Sequence, residues 1–146
     1  MNTGGKPVEI LLVEDNEGDI RLTQEAFRES KVWNHLHVVK DGLEAIAFLK
    51  KEGTHVNAVR PDLILLDLNL PKRNGIEVLQ EIKNDDKLKR IPVLVLTSSE
   101  AERDIVRSYN LHANCFITKP LDLNDFLQIV QAIEDFWLTI VKLPRE

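Results

Sequence analysis

Five short apolar runs punctuate the chain: VEILLVED (8–15), HLHVVKD (35–41), DLILLDL (62–68), PVLVLTSS (92–99) and CFITKP (115–120). Runs of that length fit strands buried on both faces. The segments between them carry apolar residues at helical spacing. One begins after Asn16 and sets Ile20, Ala26 and Phe27 among charged residues. GLEAIAFLKKEG, which starts and ends on glycine, GIEVLQEIKNDD and SEAERDIVRSYN follow, and a last helix starts near Leu123. Strand then helix, five times over, implies an α/β fold: a parallel sheet with helices on both faces. Right-handed crossovers leave few topologies. At 146 residues, with no repeat, low-complexity tract or separating linker, the chain reads as one domain spanning 1–146.

One acid sits uncomfortably in this frame. Asp67 follows four consecutive apolar residues, Leu63 to Leu66, and has leucines at 68 and 70. Burying an unpaired carboxylate is costly, so a partner or a chemical role must justify it. Glu14 and Asp15 end the first strand, Thr97 the fourth and Lys119 the fifth. All lie at carboxyl ends, the edge where open α/β sheets hold their ligands. Five polar residues from four strands at one edge make a site.

Three carboxylates close together repel unless a cation intervenes. A hard divalent ion with oxygen ligands suits them, and magnesium takes one or two carboxylates while keeping positions for water and phosphate. Cysteine and histidine are absent from the cluster, which disfavours zinc. A metal-bound carboxylate beside a lysine and a hydroxyl is a fair acceptor for a phosphoryl group. Lys119 and the metal offset charge on the transferring oxygens while Asp67 attacks in line. The expected product is an aspartyl phosphate on Asp67.

Charge and composition narrow the setting. A net charge of −5 argues against nucleic acid as a direct ligand. No run approaches the roughly 18 apolar residues of a membrane span, and MNTGGKPVEI lacks the apolar stretch of a secretory signal. Cys115 is the only cysteine, so an internal disulfide is impossible and a cytoplasmic location is expected.

Five dispersed elements between about residues 8 and 135 resemble the receiver domain of two-component response regulators. That resemblance implies a doubly wound, five-stranded (βα)5 flavodoxin-like sheet in the order 2-1-3-4-5. It makes Asp67 the phosphoacceptor and a metal ligand, Asp15 a direct ligand of Mg2+ (or Mn2+ in its place) and Glu14 a contact through water. Asn69 contributes its backbone carbonyl. Thr97 becomes the switch hydroxyl, Phe116 the switch aromatic, and Lys119 the partner of the phosphoryl oxygens. A cis Lys119–Pro120 peptide is implied, and Pro71 and Gly75 match the turn after the phosphorylated strand. Asn69 and Ser99, two residues beyond Asp67 and Thr97, are expected to tune the lifetime of the phosphoryl group. Two departures stand out. The acidic pair is Glu-Asp where Asp-Asp is commoner, and Phe116 lacks the phenol that often occupies its position.

Blander readings exist for single residues. Glu14 and Asp15 alone could cap the first helix, and Phe116 could be plain core. His35 and His37, two apart on one strand face, read as packing or solvent-facing residues rather than metal ligands. Cys115 reads as inert core.

The last helix carries more apolar surface than one sheet contact requires. Leu123, Phe126, Leu127, Val130, Ile133, Trp137 and Val141 trace one stripe; Ile129, Phe136, Ile140 and Leu143 trace a second. Together they exceed the ~100° stripe that packing on a sheet requires. The chain's own tail could cover the surplus. A homodimer contact through Phe136, Trp137, Ile140 and Leu143, in an extension from about residue 136, is the preferred reading. Each large side chain so buried is worth ~1.5–3 kcal/mol. The loop KEGTHVNAVRP and the ending FWLTIVKLP resemble the small single-domain response regulators that partner phytochrome-type histidine kinases.

The leading expectation is therefore a stand-alone receiver, not an enzyme, that takes a phosphoryl group from a sensor kinase and signals through protein contacts. A haloacid-dehalogenase-type phosphatase needs a general acid two residues after Asp67, where Asn69 stands. A receiver-like interaction module without phosphorylation is the third reading.

Overall fold

In a computed structural model the described residues are 6–97, 99–108, 113, 115–119 and 122–140; for 108, 115 and 136–140 the description is of the backbone alone. The elements follow in strict alternation: β1 Val8–Val13, α1 Glu17–Arg28, β2 Asn34–Val39, α2 Gly42–Lys50, β3 Leu63–Asp67, α3 Gly75–Lys83, β4 Val93–Thr97, α4 Glu100–Ser108, β5 Cys115–Thr118 and α5 Leu123–Ile140. A single 3-10 turn, Gly53–His55, interrupts the long connection into β3. The five strands form one parallel sheet in the order β2-β1-β3-β4-β5, as the resemblance implied.

Side chains alternate across a strand, so each strand feeds two cores at once. Leu11 and Val13, Ile64 and Leu66, and Val93 and Val95 face the side covered by α2, α3 and α4, where Phe48, Leu49, Val78, Leu79, Ile82 and Val106 complete a buried cluster. Val8, Ile10 and Leu12, with Leu63 and Leu65, face the other side and meet Ile20, Ala26 and Phe27 of α1 and Phe126 and Val130 of α5. Burial on both faces explains why the strands read as continuous apolar runs rather than alternating ones.

The strands stop slightly short of the apolar runs because polar side chains take over their ends. β1 closes at Val13, although Glu14 still donates its amide to the Val39 carbonyl at 3.0 Å. Helix α1 is capped by Asn16, whose side chain accepts from the Asp19 amide at 2.9 Å, so the neighbouring acids are left for other work. Helix α3 opens with a reciprocal capping box between Asn74 and Glu77. Gly75, its first residue, packs directly on the backbone leaving β3. A β-carbon there would stand 2.4 Å from Leu68 Cα and 2.5 Å from the Asp67 carbonyl oxygen.

Within the first α5 stripe, Phe126 and Val130 are buried, with Leu127 and Ile133 against the same cluster. One turn beyond Val130, Glu134 is buried as well. It accepts from the Ser30 hydroxyl at 2.6 Å and the Lys31 amide at 2.5 Å, which ties α5 to the α1–β2 connection. Among the described residues no helix is long and apolar enough to cross a membrane.

Candidate functional site

The carboxyl ends of β1, β3 and β5 converge. Asp67, the last residue of β3, is 2% exposed. Its Oδ1 accepts the Asn69 backbone amide at 2.9 Å, and its Oδ2 stands 3.1 Å from Lys119 Nζ. Glu14 is wholly buried, with Oε2 accepting the Asn16 amide at 3.2 Å and both oxygens within 3.3 Å of the same ammonium. Asp15, exposed at the rim, completes a group of three: carboxylate oxygens of Glu14, Asp15 and Asp67 lie within 4.8 Å of one another.

The electrostatics of the cluster are unbalanced. Burial, reinforced by a hydrogen bond and negative charge from Asp67, pushes the Glu14 carboxyl from 4.5 up to about 8, against the opposing pull of Lys119. Burial also works against the charge on Lys119. The hydrogen bond to Asp19 and the negative charges of Asp67 and Glu14 outweigh it and raise the ammonium above its ordinary pKa. Among the described residues a single cation thus serves the cluster of carboxylates, and Glu14 holds a proton well above its usual range. The all-oxygen donor set and this uncompensated charge fit a hard divalent ion.

Asp19 is the residue that the sequence did not reveal. Its Oδ2 lies 2.7 Å from Lys119 Nζ, nearer than either Asp67 or Glu14. An acid in the first turn of a helix is ordinary, so position alone gave no signal. Only the packing of α1 beside β5's end brings it in.

Thr97 ends β4 beside Asp67's strand and is fully buried, yet its hydroxyl has no hydrogen-bond partner among the described residues. A buried unpaired hydroxyl at such a point calls for explanation. Phe116 pairs in register with Val95, and Thr118 with Thr97, so both lie on the α4 side of the sheet with the orphaned hydroxyl. The Phe116 ring is half-buried, and the guanidinium carbons of Arg103 and Arg107 each stand 5.6 Å from its centroid. Arg103 also donates to the Thr118 hydroxyl at 2.5 Å, which binds α4 to β5.

The remaining expected residues are less central. Asn69 and Ser99 are both exposed, and the Ser99 hydroxyl accepts from the Glu102 amide at 3.4 Å at the start of α4. Phe136, Trp137 and Ile140 lie on the last turns of α5, with side chains outside the described residues; Pro120 and Leu143 lie wholly outside them. His35 and His37 gather with Glu9 at the opposite end of the sheet.

Comparison with known proteins bears on the family and the fold. The family model described as response regulator receiver domain matches residues 10–131. The response regulator Rcp1 of Synechocystis sp. strain PCC 6803 is 54% identical over 138 residues, covering 94% of each chain. Among solved structures, the phosphorylated cyanobacterial phytochrome response regulator RcpA superposes with a TM-score of 0.82 at 57% identity, covering 92% of this chain and 96% of that one. The Mn2+-bound form of Rcp1 gives a TM-score of 0.82 at 53% identity, covering 95% of this chain and all of the other.

Proposed function

The chain belongs to the response regulator receiver domain family, and on that premise we propose that Asp67 accepts a phosphoryl group from the histidine of a phytochrome-type sensor kinase. The observation that carries this reading is the meeting of Asp67 Oδ2 with Lys119 Nζ at 3.1 Å, inside a buried acidic cluster. One Asp67 carboxylate oxygen attacks phosphorus in line, the nitrogen–phosphorus bond of the phosphohistidine breaks, and the imidazole leaves with the bonding pair. Lys119 offsets charge on the transferring oxygens. Asp15 and Asp67, with Glu14 and the Asn69 carbonyl, would hold a divalent ion, Mg2+ or Mn2+ in its place, which would supply further charge neutralisation.

The new group carries about −1.5 to −2 charges. Its oxygens offer the Thr97 hydroxyl the partner it lacks among the described residues, and Thr97 moves toward Asp67. Phe116 then turns into the space behind Thr97 and releases its contacts with Arg103 and Arg107. The altered surface of α4, β5 and α5 transmits the signal, without catalytic turnover of a substrate. Asn69 and Ser99 set the lifetime of the acyl phosphate by flanking the path of water. The Asn69 carboxamide is far too weak an acid to protonate a leaving group, which leaves a phosphatase without its general acid.

The chain works as a single receiver domain in the cytoplasm, beside the kinase. Its last helix and the extension from about residue 136 form a homodimer contact through Phe136, Trp137, Ile140 and Leu143. Phosphorylation and dimerisation are linked reciprocally in this reading.

Incubation with Mg2+ and a small acyl-phosphate donor is expected to place one phosphoryl mass on Asp67, absent in Asp67→Asn. No adduct, or an equal one in that variant, would overturn the acceptor assignment. Transfer from a purified phytochrome-type kinase tests the partner. Molar mass measured with and without the phosphoryl group tests the linkage, which fails if dimer affinity is equal in both states.

A further inference from the structure

The end of the sheet remote from Asp67 holds a second cluster of ligating side chains. Glu9 is the second residue of β1 and pairs in register with His35 of the edge strand β2. His37, two residues along, points to the same face. His35 Nδ1 lies 3.2 Å from Glu9 Oε2, and His37 Nε2 lies 2.7 Å from Glu9 Oε1. One ligand atom from each residue falls within 4.8 Å of the other two. Glu9 is five residues before Glu14, on the order of 16 Å along an extended strand, so the cluster is separate from the acidic pocket.

We propose that Glu9, His35 and His37 bind a borderline divalent transition-metal ion of the zinc class. Two imidazoles and one carboxylate are a donor set that zinc takes while keeping a fourth position open for water. Nitrogen donors disfavour magnesium, which discriminates this site from the all-oxygen pocket at the other end.

The ligands sit on a stiff support. Two neighbouring strands carry all three, so their spacing is fixed by the ladder rather than by a loop. The Glu9 backbone is held on both sides by Asp62, whose Oδ2 accepts the Glu9 amide at 2.9 Å and whose amide donates to the Glu9 carbonyl at 2.7 Å. The imidazoles stand in a row of rings: Trp33 to His35 at 5.9 Å, His35 to His37 at 6.4 Å, and His37 to Phe48 at 5.6 Å. That row restricts rotation of both histidines. The site is nevertheless open to entry, with the His35 side chain half-exposed and those of His37 and Glu9 31% and 20% exposed. A bound ion would clasp the edge strand β2 to β1.

The test is a calorimetric titration of the full chain with Zn2+, in saturating Mg2+ and in the Asp67→Asn background, so that the acidic pocket does not report. One equivalent of Zn2+ is expected. His35→Asn and His37→Asn each weaken it at least about tenfold, and the double variant abolishes it. Glu9→Gln discriminates a metal site from plain hydrogen bonding, because the amide oxygen can still accept from an imidazole but carries no charge; it too is expected to weaken Zn2+ binding. Substitution at the half-exposed His35 is expected to leave the fold intact, checked by an unchanged melting curve without metal. In a second measurement, paramagnetic Ni2+ should broaden the ring signals of His35 and His37 before those of His55. Absence of the Zn2+ equivalent, or equal Zn2+ affinity in the double variant, would show a hydrogen-bonded cluster with no metal affinity and overturn the proposal.

Discussion

Lys119 Nζ lies 3.1 Å from Asp67 Oδ2, joining residues 52 apart in sequence, one ending β3 and the other just past β5, strands that are not neighbours in the sheet. It is the only ammonium or guanidinium recorded against Asp67 or Glu14 among the described residues. Replacing it with alanine removes charge where negative charge develops during transfer, a loss worth roughly a hundredfold or more in rate at comparable sites. The same change removes a repelling cation from the metal pocket. Lys119→Ala is therefore expected to accept phosphoryl groups about a hundredfold more slowly while binding Mg2+ at least as tightly. Parallel loss of both, followed by mass spectrometry and calorimetry, would mean the lysine merely holds the fold.

Asp19 competes for that ammonium. Its 2.7 Å contact with Nζ is the shortest of the three, and transfer to Asp67 asks Lys119 to favour the phosphoryl oxygens instead. Partly exposed ion pairs are worth ~0.5–1 kcal/mol. Asp19→Asn should therefore raise the steady-state phosphorylated fraction by about two- to fivefold at limiting donor. The cap of α1 survives, because Asn16 accepts from the Asp19 backbone amide and not from its side chain. A fall in phosphorylation would instead identify Asp19 as the group that positions Lys119.

Glu14 makes the pocket sensitive to pH. Its carboxyl titrates near 8 in the folded chain, against an ordinary value of 4.5. Between those values the folded state binds more protons than the unfolded state, so without metal stability falls as pH rises through that window and levels above it. A cation favours the ionised carboxylate and displaces the proton. Mg2+ affinity should climb with pH, by at most about tenfold per unit below 8, and flatten above. Calorimetric titrations from about pH 6 to 9 would measure the slope, and Glu14→Gln should remove it. A slope that persists in Glu14→Gln would place the proton elsewhere.

The parts legible in the sequence share one physical basis. A strand has period two and a crossover helix period 3.6, so runs such as DLILLDL and the stripes between them announce the sheet, and Asp67 at a run's end announces the site. Pairings that depend on packing were not legible. Asp19 looks like any first-turn acid until α1 lies beside the end of β5. Glu9 becomes a neighbour of His35 only once β1 and β2 adopt their register. Glu134 interrupts an apolar stripe and would be expected to face water; the Ser30 hydroxyl and Lys31 amide make its burial tolerable. The sequence runs overreach the strand ends for a related reason: β1 closes at Val13, and the Glu14 and Asp15 side chains turn to the pocket.

Gly75 couples the site to the fold through its lack of a side chain. A methyl group at its α-carbon would meet Leu68 Cα at 2.4 Å and the Asp67 carbonyl at 2.5 Å, and neither backbone atom can yield without moving Asp67. Overpacking of this kind costs ~1–3 kcal/mol, enough to lower the melting temperature of Gly75→Ala by roughly 3–10 °C. The displaced carboxylate should also slow phosphoryl acceptance at temperatures well below that transition. Gly53 provides the contrast: its φ of 60° strains any replacement, but a β-carbon there meets nothing within 4 Å. Gly53→Ala should therefore lose stability by about 1 kcal/mol and keep the wild-type phosphorylation rate. Equal slowing in both variants would show that global stability, not the placement of Asp67, controls the reaction.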